Sequence, residues 1–162
     1  MIRLTAAAAA TIAVWLVAAT QVPTHVHMGI ADVVVGAVVT QPFGCTVVDL
    51  EPFDDLCPYH RKHTGIDLAA AIGTEVHSAT YGTAYVGFDP SGAGKFVVVV
   101  VDVHVRVLYC HLSAFRVASG DGVSPGQVIG LVGATGLATG PHVHFQVDLD
   151  GVPVDPVTWL AP

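Results

Sequence analysis

Between residues 142 and 149 the chain reads His-Val-His-Phe-Gln-Val-Asp-Leu, with polar and apolar side chains in alternation. A period of two is the signature of a strand with one covered face. It places His142 and His144 on one face, about 6.6 Å apart along the strand. The same reading predicts strands over residues 33–39, 74–79, 83–88, 96–109 and 128–132, each bounded by Gly, Pro or Asp. The 33–39 run is β-branched and interrupted by Gly36 and Ala37. No segment after residue 20 sustains a helical period. The pattern predicts an all-β, compact antiparallel domain.

The longest alternation, residues 101–111, carries Val101, Val103, Val105, Val107, Tyr109 and His111 at odd positions. A regular strand here puts His111 on the covered face beside Tyr109 and leaves His104 on the wetter face as a solvated residue. A histidine among valines needs a partner, so His111 is a candidate for chemistry and His104 is not.

The N-terminus departs from this pattern. After Met1-Ile2-Arg3 an apolar run extends from Leu4 to Ala19, broken only by Thr5 and Thr11, and it ends in the small residues Ala18 and Ala19. One positive charge, a hydrophobic core and small residues form the order of a secretory signal. The run is shorter than the roughly 20 residues that cross a bilayer core, which favours cleavage over a retained anchor. Residues 1–20 are therefore expected to be a signal peptide or signal anchor, 21–29 a linker and 30–162 the folded domain. The domain is expected to be secreted or envelope-associated, and to touch a membrane only through an uncleaved 1–20. His25 and His27 fall in the linker with no other ligand type nearby.

Composition narrows the function. Among 162 residues only 12% are charged, with 6 basic side chains against 13 acidic ones and a formal charge of −7. No basic stripe exists to neutralise phosphates, which excludes nucleic acid as a partner. Nine histidines against two glutamates, Glu51 and Glu75, direct attention to metal or proton-transfer chemistry. An oxidising compartment permits disulfides. Of the three formal pairings, Cys45–Cys57 is favoured because both lie in a loop-like stretch, whereas Cys110 falls in a strand pattern and is expected to be a free, buried thiol.

Two fragments supply ligand types. His63-Thr64-Gly65-Ile66-Asp67 offers an imidazole and a carboxylate separated by a glycine that permits a tight bend. His142-Val143-His144 offers two imidazoles on one face. One side chain from each fragment plus a third would close a tetrahedral zinc site.

Taken together, the motifs resemble the lysostaphin-type zinc endopeptidases, also called the LytM or M23 family. The match runs in order through Gln41-Pro42-Phe43-Gly44, His63-Thr64-Gly65-Ile66-Asp67-Leu68, Leu108-Tyr109-Cys110-His111-Leu112-Ser113, Ser124-Pro125-Gly126-Gln127 and Gly140-Pro141-His142-Val143-His144-Phe145, ending near Pro153-Val154-Asp155-Pro156. The resemblance covers roughly residues 40–160. It implies a lysostaphin-type fold, akin to a barrel-sandwich hybrid, and cleavage of peptide bonds in bacterial peptidoglycan. It also implies one Zn2+ per chain held by His63, Asp67 and His144, with His111 and His142 as the catalytic histidines. Three protein ligands leave a fourth position for water, as in catalytic rather than structural zinc sites. One catalytic histidine would take a proton from that water while the other hydrogen-bonds the oxyanion; the sequence leaves the division open. The chain departs from the common family pattern at Gln146, where Glu is frequent, at Cys110, where a small residue is usual, and in the Cys45 to Cys57 stretch. These departures keep a second class in view, a catalytically inactive wall-binding domain or regulator of another hydrolase.

Other chemistries fail on inspection. No His-Glu-x-x-His or Gly-x-Ser-x-Gly motif occurs, and two glutamates are poor material for a carboxylate-pair glycosidase. Gly92-Ala93-Gly94-Lys95 lacks the Ser/Thr and the leading Gly of a phosphate loop and reads as a turn. Cys110 and His111 are neighbours that a regular strand would point to opposite faces, which argues against a thiol–imidazole dyad. His60 reads as an exposed loop residue, and His77 is assigned no function.

Overall fold

The structure, a computed structural model, describes residues 28–161. The apolar segment 1–20, His25 and His27 lie outside the described residues. Among the described residues, two one-turn helices and thirteen short strands follow in chain order. Helix α1 (Ile30–Val33) leads into β1 (Val38–Gln41), and β2 (Gly44–Cys45) is joined by a long loop to β3 (Lys62–His63) and β4 (Ile66–Ala69). Next come β5 (Glu75–His77), β6 (Gly82–Asp89), β7 (Gly94–Val100) and β8 (Val105–Leu112). The chain continues through β9 (Ala114–Phe115), β10 (Gly122–Val123), β11 (Val128–Leu131), β12 (His142–Leu149), β13 (Val152–Val154) and α2 (Pro156–Trp159).

The principal sheet has the order β1-β4-β12-β8-β7-β6-β10, with β13 paired to β12. A smaller sheet, β5-β11-β9, and the ribbon β2-β3 complete an entirely antiparallel set of ladders. This is the all-β antiparallel architecture read from the pattern.

Strand β12 behaves as its alternation requires. Val143, Phe145 and Val147 are fully buried, and the intervening His142, His144 and Gln146 are partly exposed on the opposite face. Each fully buried residue of this size contributes roughly 1.5–3 kcal/mol by leaving water. Phe145 packs against Tyr109 of the neighbouring strand at 5.2 Å between ring centroids, and the Tyr109 hydroxyl accepts the Ala79 N–H at 2.7 Å. Val97, Val99, Val107 and Ile129 fill out the same core.

Two expectations change. Residues 33–39 are not one strand: α1 occupies Ile30–Val33 and β1 starts only at Val38, because Gly36 at φ +78° turns the chain between them. The long 96–109 pattern is likewise a hairpin. The Asp102 carboxylate accepts the N–H groups of His104 and Val105, at 2.8 and 2.9 Å, and closes the turn from β7 into β8. His104 is exposed at that turn, on Asp150, as its wetter-face assignment requires. The β12–β13 hairpin turns on Asp150-Gly151, both at positive φ, the combination a two-residue connection favours.

Candidate metal centre and active site

The cross-strand register brings distant residues into one row. Asp67 of β4 lies opposite His144 of β12, which lies opposite Cys110 of β8. His63 joins from β3, one bend before β4. Gly65 makes that bend possible, since a side-chain carbon there would lie within 2.9 Å of the His144 ring.

Three donor atoms converge. His63 Nε2 is 3.1 Å from Asp67 Oδ1 and 2.9 Å from His144 Nδ1, and His144 Nδ1 is 3.2 Å from the same Asp67 oxygen. His63 is fully buried and donates its Nδ1–H to the Pro42 carbonyl at 2.9 Å. A carbonyl can only accept, so the neutral ring turns a bare Nε2 lone pair towards the carboxylate and the second imidazole. Such facing acceptors repel unless a proton or a cation sits between them. Their spacings are close to the edge of about 3.3 Å implied by zinc bonds of about 2.0 Å in a tetrahedron. The donor set thus fits a divalent ion.

The electrostatics agree. Burial disfavours the Asp67 carboxylate, but its close contacts with His144 and His63 outweigh it and hold the group well below the usual carboxylate range. Burial also opposes protonation of His63, and there the Asp67 and Pro42 contacts win, so in the metal-free protein its pKa rises above 6.5. The site attracts positive charge, whether proton or metal.

His111 and His142 stand beside this cluster with ring centroids 4.7 Å apart. His111 donates Nδ1–H to the Thr135 carbonyl at 2.9 Å, and His142 does the same to the Gly140 carbonyl at 2.8 Å. Each neutral ring therefore offers Nε2 as an acceptor, and that of His142 lies 3.7 Å from Asp67 Oδ1. Burial lowers the His111 pKa below 6.5, with only partial compensation from the Thr135 carbonyl.

His111 does not share the covered face of Tyr109, as a regular strand would require. Between the pairs Lys95–Leu112 and Val97–Tyr109, β8 carries one residue more than β7, and His111 absorbs this bulge at φ +63°. The bulge turns its ring into the cavity that Cys110 also lines, so these neighbours share a face after all. Burial pushes the Cys110 thiol up to about 12, which leaves it protonated and inert as a nucleophile.

Asp67, His111, His142 and His144 open onto a cavity of about 430 Å³. Val48, Leu50 and Glu51 form part of its wall, and they belong to the loop closed by the Cys45–Cys57 disulfide. The Gln41 amide holds Glu51 at 2.7 Å. All five predicted site residues meet at one place. His60 is exposed between Cys57 and β3, and His77 lies apart on β5. Sequence reasoning gave no role to Thr64, Gln146 and Asp148. The signal for Gln146 was present in the alternation that singled out His142 and His144.

The description "Peptidase family M23" matches residues 61–156, more than half of the chain. The chain belongs to this family. A DD-carboxypeptidase/endopeptidase, Mpg, of Neisseria meningitidis is 44% identical over 102 residues, covering 63% of this chain and 24% of the relative. The peptidoglycan DD-endopeptidase ShyA of Vibrio cholerae is 40% identical over 93 residues, 57% of this chain and 22% of the relative. The chain thus spans about a quarter of the length of these curated relatives. Among family structures, a zinc-containing peptidase from Vibrio cholerae aligns with a TM-score of 0.63 at 33% identity, over 74% of this chain and 36% of the other. The catalytic domain of lysostaphin from Staphylococcus simulans aligns with a TM-score of 0.63 at 30% identity, over 76% of this chain and 92% of that domain.

Proposed function

We propose that residues 30–162 form the catalytic domain of an exported, zinc-dependent endopeptidase that hydrolyses peptide stems or cross-bridges of bacterial peptidoglycan. The observation that carries this reading is the convergence of His63 Nε2, Asp67 Oδ1 and His144 Nδ1 beside the His111–His142 pair in one open cavity. Membership of a peptidase family and relatives named as endopeptidases support it. The apolar segment 1–20 supports export.

In this reading His63, Asp67 and His144 hold the ion. Zinc, when bound, would polarise the scissile carbonyl and lower the pKa of water to about 7. The protein's own part is proton handling. One of the two free Nε2 atoms takes the proton of the attacking water and later delivers it to the leaving amine, while the other ring, when it carries a proton on Nε2, hydrogen-bonds the oxyanion. Burial keeps His111 neutral, the form that accepts. The Thr135 and Gly140 carbonyls hold both Nδ1–H groups and so leave both Nε2 atoms for these tasks.

The test is to incubate zinc-loaded protein with purified sacculi of two cross-link chemistries, one directly linked through a D-amino acid and one through glycine bridges. New amino termini should appear from at least one, vanish with chelator and return with zinc. Folded, zinc-bound protein that releases none from either would overturn catalysis and leave the wall-binding class.

A further inference from the structure

The cavity wall holds a polar chain that the proton chemistry above does not use. Gln146 Nε2 donates to Asp148 Oδ1 at 2.7 Å, and Gln146 Oε1 accepts from Thr64 Oγ1 at 2.6 Å and faces His144 Nε2 at 3.2 Å. Asp148 is 8% exposed, so its carboxylate has little water to turn to. A carboxylate offers only acceptors. The Gln146 amide is thereby held in one orientation, because the opposite one would set Oε1 against the Asp148 carboxylate at hydrogen-bond distance. With the amide so fixed, a carbonyl oxygen faces His144 and can only accept, which places the ring proton on His144 Nε2. A neutral imidazole carries one proton, so Nδ1 is left bare, and Nδ1 is the atom that faces His63 and Asp67.

We propose that Gln146, held by Asp148 and Thr64, is a positioning residue that sets the tautomer and ring orientation of His144 and so raises the affinity of the three-donor site for zinc. The inference rests on the metal-site reading above. Outer-shell partners of ligand histidines are worth about 10–100-fold in metal affinity, which sets the size of the effect.

The experiment measures zinc affinity of the full-length protein by chelator competition, together with the His144 Nε2–H proton resonance of the zinc-loaded form. Gln146→Leu should weaken zinc binding about 10–100-fold and move that resonance upfield with faster solvent exchange, while the melting temperature of the metal-free protein reports folding. Gln146→Glu preserves an acceptor for His144 but sets a second carboxylate against Asp148, so it should also weaken binding, and adding Asp148→Asn should restore affinity towards wild type. Unchanged zinc affinity and an unchanged resonance in folded Gln146→Leu would overturn the role. If Gln146→Leu does not fold, the Glu substitution decides, and equal affinities with and without Asp148→Asn would overturn it equally. Wild-type protein that binds no zinc would instead sink the metallopeptidase reading, on which this one depends.

Discussion

His111 sits at φ +63° and donates its Nδ1–H to the Thr135 carbonyl 24 residues away at 2.9 Å, so a strained backbone and a fixed imidazole occur in the same residue. A non-glycine residue in the left-handed region costs about 1–3 kcal/mol and persists only where the surroundings enforce it. Here the strain has a use: it re-aims the ring from the core to the cavity.

That geometry separates ligands from proton carriers. His111→Ala and His142→Ala should each lower turnover by about 10²–10⁴-fold, the range for a lost acid or base, with zinc content preserved. Asp67→Ala should lose zinc. Metal analysis beside sacculus digestion checks both, and zinc loss in the two histidine variants but not in Asp67→Ala would reverse the roles assigned.

Gly65 is held to its identity by the His144 ring. Gly65→Ala would put a methyl within 2.9 Å of His144 Cε1 and Nε2. The expected cost is about 1–3 kcal/mol of stability, as for other overpacked sites, together with a marked loss of zinc affinity. Thermal melts with and without zinc distinguish the two effects. Full zinc binding by the alanine variant would contradict the packing described.

Metal binding should be lost on acidification. The His63 pKa is raised above 6.5 in the metal-free protein, because the Asp67 and Pro42 contacts outweigh burial. Below that raised value a proton must leave before an ion can enter, so zinc affinity should fall about tenfold per pH unit for one displaced proton. Above it the slope from this group should vanish. Chelator competition across the range measures the slope, and a flat profile through the His63 titration would contradict proton competition at this site.

The cysteines give a chemical check. Native protein at pH 8 should resist iodoacetamide, since Cys110 is buried with its thiol pushed up to about 12, and one thiol should appear on unfolding without reductant. Reducing Cys45–Cys57 opens a loop with a sequence separation of 12. A loop of that size is worth roughly 3 kcal/mol in the chain-entropy model, a fall in Tm of about 10 °C for a domain of this length. Mass spectrometry and melting curves read both results.

The amino-acid sequence by itself determined the features that repeat over a few residues. The alternation of 142–149 fixed which side chains of β12 enter the core and which face the cavity. The positions of Cys45 and Cys57 in a loop-like stretch pointed to their pairing. The motif order carried the family, and with it five residues that the fold gathers in one place. Tertiary structure decided what no local period encodes. Asp67 and His144 meet because β4 and β12 are neighbours in a particular register, although 77 residues separate them. His111 reaches the cavity through one extra residue in β8, a bulge that reverses the face its position in the alternation assigns. Periodicity is a property of a single strand in isolation, whereas pairing, register and bulges express which strands lie side by side, and that is settled only when the whole core is packed.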